Sequence, residues 1–265
     1  DGTVLSELVF NAPVRALAWS PDGMQLAVGS ATTVSFFNAQ TGSLLDENAV
    51  QHTAPVTSLA WIEGSASLPL ALSAGRDTRA IVWNGQTHQP QVVFRQHTTA
   101  IEALAVLAQT VATASHGGIV RVWNALSGQE IHGYYTDSLQ PLRAIAFSSA
   151  GSLALGGDAG VISLWNDGRT CTLQRQDTFG VRCIDPPTHL PRQNRPVRAI
   201  AFSPDGMWLA TGGDDNNLII WSVQTMTPLF QQLQHDVIVA LSWSPSGQFL
   251  AGAFGSHVAV WQIHQ

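Results

Sequence analysis

A hydroxyl, an imidazole and a carboxylate stand close together in this chain as Ser73, His52 and Asp77, the residue types of a nucleophilic hydrolase. In such a site the histidine takes the serine proton and the aspartate holds the imidazole. The set is not unique, however. His97 and Thr113 repeat it with Gly117 in the acid's place, and Thr211 and Asp215 repeat it with Gln193 in the histidine's place. Each copy stands at the same point of a repeated phrase, and catalytic triads do not recur in that way. The structural reading therefore leads: a buried network of this composition stiffens the element that carries it. All twelve basic residues are arginine, which excludes Schiff-base chemistry and phosphate loops built on lysine. Every glycine-rich stretch leads from one strand to another, so none cradles a phosphate ahead of a helix.

The elements that must position these residues are short strands. Six segments close on an aromatic in the same way: SFFN at 35–38, IVWN at 81–84, RVWN at 121–124, SLWN at 163–166, IIWS at 219–222 and AVWQ at 259–262. Their aromatics, from Phe37 through Trp83, Trp123, Trp165 and Trp221 to Trp261, stand 46, 40, 42, 56 and 40 residues apart. Upstream of each lies an apolar phrase ending in turn residues, such as PVRALAWSPDG at 13–23 or PVRAIAFSPDG at 196–206. Proline presets one dihedral of such a turn and glycine accepts a positive one. A second apolar phrase with a Gly/Asp turn follows, as in LSAGRD at 72–77, and a more polar stretch such as GSLLDE at 42–47 comes after the aromatic. Four short antiparallel strands recurring about every forty residues make a propeller blade. Runs of four to six residues, broken by Gly or Pro, exclude helices.

The expected fold is all-β, a six-bladed propeller in a single domain over residues 1–265. The blades span about 11–50, 51–96, 97–137, 138–176, 195–234 and 235–265, with an insert at 177–194. The sixth repeat ends after its third strand, and the opening DGTVLSELVFN reads like an outer strand. Thr3–Phe10 is thus expected to pair with the strand of Trp261 and close the ring, which removes open sheet edges.

These phrases resemble the WD40 repeat, and the resemblance covers nearly the whole chain. A repeat of that family begins with Gly-His, carries Ser or Thr on its second strand and Asp in the next turn, and ends in Trp-Asp. The second repeat keeps the four side chains as His52, Ser73, Asp77 and Trp83; the third keeps His97, Thr113 and Trp123; the fifth keeps Thr211, Asp215 and Trp221. The resemblance implies that these residues form a hydrogen-bonded chain within a blade. Repeats one, four and six have largely lost the set, and Asn replaces the closing Asp in four repeats. The resemblance further implies a non-enzymatic interaction scaffold, a rigid disc holding peptides or domains, without cofactor or metal. Bacterial members often sit at the C-terminus of signalling ATPases or kinases, so the chain is read as an excised domain of such a protein. Two readings from other classes stay open: a hydrolase or lyase with its site in the central channel, and a sensor of phosphopeptides or small anions.

Family geometry places the second residue of each inner strand at the channel mouth: Arg15, Thr57, Glu102, Arg143, Arg198 and Val239. Three arginines there reverse the charge of a protein with net charge −6 and a pI near 5.8. The planar guanidinium suits carboxylate and phosphate oxygens. The partner surface is therefore expected on this rim, and the partner is expected to be a protein or peptide, acidic or phosphorylated. The competing reading pairs each arginine with Glu102 or an Asp of an adjacent turn, and it takes precedence because surface ion pairs are common. His52, His97, His116, His235 and His257 share that face but belong to different blades and lack carboxylate companions, so no metal site is expected. The insert, stiffened by Pro186, Pro187 and Pro191, is the second candidate for binding. Cys171 and Cys183 are read as unrelated thiols, with a disulfide as the alternative in an oxidising compartment. The acidic balance argues against nucleic acid, and the lack of a long apolar run against a membrane span. The cytoplasm is the favoured compartment.

Overall fold

The computed structural model of the protein describes residues 7–48, 52–63, 69–136, 139–167, 174–177, 180–183 and 186–263. Among these, every regular element is a strand. The first blade runs antiparallel in chain order through β1 (Val14–Trp19), β2 (Gln25–Ser30), β3 (Thr33–Asn38) and β4 (Leu44–Asn48). The second repeats this with β5 (Val56–Glu63), β6 (Pro69–Gly75), β7 (Ala80–Asn84) and β8 (Pro90–Phe94). The third contains β9 (Ile101–Leu107), β10 (Thr110–Ser115), β11 (Ile119–Asn124) and β12 (Glu130–Tyr135). The fourth begins with β13 (Leu142–Phe147), β14 (Leu153–Gly157) and β15 (Ser163–Trp165). The segment after β15 then supplies β16 (Gln174–Asp177), β17 (Gly180–Cys183) and β18 (Thr188–His189). The fifth blade is β19 (Val197–Phe202), β20 (Trp208–Gly213), β21 (Asn217–Ser222) and β22 (Pro228–Leu233). The sixth holds β23 (Ile238–Trp243), β24 (Phe249–Phe254) and β25 (His257–Gln262). The fold is a six-bladed β-propeller.

Local chemistry sets where these strands stop. In the Ser-Pro-Asp-Gly turns, Ser20 donates to Asp22 Oδ1 at 2.5 Å, the Met24 amide donates to the same oxygen, and Gly23 holds φ +70°. Ser203, Asp205 and Met207 repeat the arrangement. Asparagine in the place of the closing Asp performs that residue's turn-capping work. Asn38 Oδ1 accepts from the Gln40 and Thr41 amides, Asn84 from Gln86 and Thr87, and Asn124 from Leu126 and Ser127. An amide oxygen does this as well as a carboxylate.

The inner strands share one irregularity. Register skips a residue at Arg15, Thr57, Arg143, Arg198 and Val239, and between the pairs of Ile101 and Ala103 it skips Glu102. Each skip is a β-bulge, which frees one side chain from the ladder and re-aims it. The six expected rim residues are the six bulge residues.

The chain divides into two compact units, residues 1–115 with 123–130, and residues 116–122 with 131–265. In the first, Phe36, Val56, Trp61 and Trp83 centre one core between successive blades, while Leu72, Phe94, Ile101 and Trp123 centre another. In the second, Leu164, Val197, Leu209 and Trp221 form one core, and Leu218, Ile220, Ile238 and Leu250 the next.

Two segments differ from expectation. The insert at 177–194 does not stand apart from the blades. β18 is the outer strand of the fourth blade, paired with β15, while the β16–β17 hairpin extends the third sheet through a parallel pairing of Gly133 with Arg182. The reason is that Leu190 is buried, its amide donates to Ile162 O, and the Gln193 amide donates to Gly160 O. At the other end, Thr3–Ser6 lie outside the described residues, and Glu7–Phe10 form no strand. The sixth sheet has three strands among the described residues. Phe10 instead packs edge-on against Phe37 at 5.9 Å, and Ser30 Oγ donates to Ala12 O, which draws this segment onto the first blade.

Candidate interaction site

The Ser/His/Asp set of the second blade is a closed hydrogen-bonded chain. Asp77 accepts from His52 Nδ1 at 3.0 Å and from the Thr53 amide at 2.9 Å. His52 Nε2 lies 2.8 Å from Ser73 Oγ, which accepts from Trp83 Nε1 at 2.9 Å. Burial alone would raise the Asp77 carboxyl, but the bonds from His52 and the two backbone amides hold it below the usual carboxylate range. Ser73 is fully buried and already engaged on both sides, so no substrate reaches it. The third blade keeps His97–Thr113 at 2.8 Å and Trp123–Thr113 at 3.3 Å. The fifth keeps only the Trp221–Thr211 bond at 2.9 Å. Asp215 there caps its own turn through the Asn217 amide, and the buried Gln193 amide group has no hydrogen-bond partner.

In the second unit, the bulge at Arg143 aims its fork back at Asp158, with Nε and Nη2 at 2.8 and 2.9 Å from the two carboxylate oxygens. Arg198 grips Asp214 in the same bidentate way. The Arg143 guanidinium holds the Asp158 carboxyl below its ordinary value, with Arg198 and His116 adding to the effect. Asp214 correspondingly raises the Arg198 guanidinium. These four side chains form a ladder of alternating charge rather than a positive patch. In the first unit, Arg76 lies 3.4 Å from Glu102, and Thr57 Oγ1 lies 2.7 Å from Ile101 O and 3.1 Å from Ala74 O. Arg15 is exposed and has no partner among the described residues, and Val239 is exposed and apolar.

The second unit also holds a cavity of about 600 Å³ that the rim residues do not define. Tyr135, Leu142, Leu155 and Trp165 give it apolar walls; Asp158, Ser163 and His189 add polar groups. Ser163 Oγ and His189 Nδ1 satisfy each other at 3.1 Å. Pro187, Leu190 and Arg192 close it from the insert, and Arg192 is exposed with no partner among the described residues. Tyr134 packs on Trp165 at 4.4 Å behind the wall, and Arg182 stacks over Tyr135 at 4.7 Å. Cys183 is buried and disulfide-bonded, and Cys171 is the sole other cysteine in the sequence. Cys171 lies outside the described residues. The insert was marked in the sequence as a candidate, but its docking onto the fourth blade was signalled only by the apolar Leu190 among polar neighbours.

Four-stranded blades, a Trp-to-hydroxyl bond recurring at one position and a bulge on every inner strand define a repeat propeller. Residues 184–222 and 226–262 match the family model described as WD domain, G-beta repeat, and residues 6–64 match the WD40 domain of anaphase-promoting complex subunit 4. The chain belongs to the WD40-repeat family. It is 27% identical over 192 residues to Protein FIZZY-RELATED 3 of Arabidopsis thaliana, covering 68% of this chain and 36% of that protein. It is 25% identical over 263 residues to WD repeat-containing protein 18 of Danio rerio, covering 93% and 58%. A shorter stretch of 67 residues is 34% identical to Small ribosomal subunit protein RACK1 of Caenorhabditis elegans, covering 25% and 21%. The chain spans less than two thirds of the length of each of these relatives. WD40 propellers of this kind are typically protein-interaction scaffolds.

Proposed function

We propose that the chain is a non-enzymatic protein-interaction module and that its second unit holds an extended segment of a partner protein. Apolar side chains of that segment enter the 600 Å³ cavity, and an acidic group meets Arg192 at its edge. The observation that carries the reading is the conjunction of apolar walls with an uncommitted guanidinium; apolar pockets with a few convergent polar groups are where ligands gain affinity. The rim supplies a second contact. Arg198 spends two N–H groups on Asp214, and the fork carries five, so it can also meet a partner's carboxylate, phosphate or carbonyl oxygens.

The test is selection of peptides from a random display library on the immobilised protein, followed by titration of the winners. Selected peptides are expected to share an apolar residue beside an acidic one. Val161 also lines the cavity; peptide affinity should fall at least about tenfold in a Val161→Glu, Arg192→Glu double variant and weaken with salt. Full binding by that variant would remove the cavity from the reading. A loss confined to Arg143→Glu with Arg198→Glu would move the site to the rim.

A further inference from the structure

The loop that closes the cavity carries more positive charge than Arg192 alone. From Pro186 to Pro204 the chain holds three arginines, Arg192, Arg195 and Arg198, and no carboxylate, in a protein of formal net charge −6. Arg198 grips Asp214. Arg192 and Arg195 are exposed, and neither guanidinium has a hydrogen bond or ion pair among the described residues. The loop is fixed on both sides of this pair. The Leu190 amide donates to Ile162 O at 3.0 Å and the Gln193 amide to Gly160 O at 2.9 Å, while the Asp214 amide donates to Pro196 O at 2.9 Å. Gly160 lies so close that a Cβ there would meet the Gln193 and Arg195 carbonyls. Its neighbours Ala159 and Val161 line the cavity, as Arg192 does, so both arginines spring from backbone at the cavity's edge. Little of that backbone is left to order on binding.

The same unit shows what one carboxylate does for one guanidinium. Arg143 donates to both oxygens of Asp158, and Arg198 to both oxygens of Asp214. A single carboxylate therefore fills a single fork. Two uncommitted forks at one edge match a group with about two negative charges and three acceptor oxygens, which is a phosphate monoester. The carboxylate that lines the cavity, Asp158, is already neutralised by Arg143 and does not repel such a group strongly. The place of the charge selects the residue that bears it. A phosphotyrosine entering tip first would carry its dianion past the arginines and among Leu142, Leu155 and Trp165, where desolvation opposes it. A phosphoserine or phosphothreonine keeps the dianion on a short side chain at the edge, while the apolar residue beside it enters.

We infer, taking the cavity as the peptide site proposed above, that the partner segment presents a phosphorylated serine or threonine to Arg192 and Arg195. The apolar residue next to it lies against Tyr135 and Trp165. Phosphorylation of the partner is then the switch for docking: the bare hydroxyl leaves both guanidiniums without an anion, and a carboxylate in its place fills only one of them.

Two matched synthetic peptide arrays test it, one with a central glutamate and one with a central phosphoserine, each flanked by randomised positions. Peptides with an apolar residue next to the phosphoserine are expected to bind at least about tenfold tighter than their glutamate twins, and to lose affinity more steeply with salt. Arg195→Gln should bring the phosphoserine peptides down to the affinity of the twins, while leaving the twins and the melt unchanged. Phosphoserine peptides that bind no tighter than the twins overturn the inference and leave the cavity as a peptide site. An advantage of phosphoserine that survives Arg195→Gln overturns it too. Binding by neither array overturns the cavity site and the phosphate contact together.

Discussion

The most informative single side chains are those that complete or fail to complete a buried network. Asp77 holds His52 and the turn backbone together, and removing it leaves an imidazole N–H and the amides of Thr53 and Arg79 without this acceptor. Asp77→Ala is expected to cost roughly 1–3 kcal/mol in denaturant melts. Asp158→Ala is expected to cost under about 1 kcal/mol, because its ion pair with Arg143 is partly exposed and screened. Equal costs would count against the network as the source of rigidity. Gln193 is the converse case: it occupies the histidine position of the fifth blade with an unpartnered, buried amide. Gln193→His is expected to bond Thr211, as His97 bonds Thr113, and to raise stability by about 1 kcal/mol. No gain in the melt would show that the fifth blade has closed around its glutamine.

At the scale of elements, the segment after β15 is the instructive one. Its composition reads as a loop, yet it provides the outer strand of the fourth blade, a hairpin on the third sheet and one wall of the cavity. Leu190 anchors it, and Leu190→Ala is expected to cost roughly 2–4 kcal/mol, as for a buried core leucine. Pro191→Ala, one residue on and exposed, is expected to change stability by less than about 0.5 kcal/mol. A small effect at both positions would return the segment to the status of a tolerated insertion. The bulges are elements of a similar kind. Each turns one residue out of an inner strand, and the neighbouring turn then decides whether that residue is paired, as at Arg143, or left exposed, as at Arg15.

For the whole molecule, the clearest prediction concerns acid. Burial holds His88 below its ordinary value near 6.5, despite the opposing pull of Asp46, so the unfolded chain binds its proton first. Stability is therefore complete above about pH 6.5 and begins to fall below it. Asp22, Asp77, Asp158 and Asp205 all sit below their ordinary value of 3.8, and their contribution is present above that value. It is lost as pH falls through their lower folded values. Chemical denaturation at a series of pH values is expected to show a shallow first step that His88→Gln removes, followed by a steep acid step that it leaves in place. A single step below pH 4 would show that His88 is not held neutral by the fold.

The repeats, the strand type and the blade count were legible in the chain, because each is set by local alternation, turn residues and a period near forty. The His52–Ser73–Asp77–Trp83 bond set was legible too, since its members recur at fixed places in the phrase. Only the tertiary structure decided where Arg143 and Arg198 spend their charge, because the aspartates they grip lie 15 and 16 residues away across a turn. It alone decided that the insert docks through Leu190, that Cys183 is bonded, and that similar phrases such as VRALAW and VRAIAF end up exposed in one blade and covered in another. Local sequence sets the shape of a strand, whereas burial depends on which neighbour arrives. That neighbour is chosen by contacts distant in the chain.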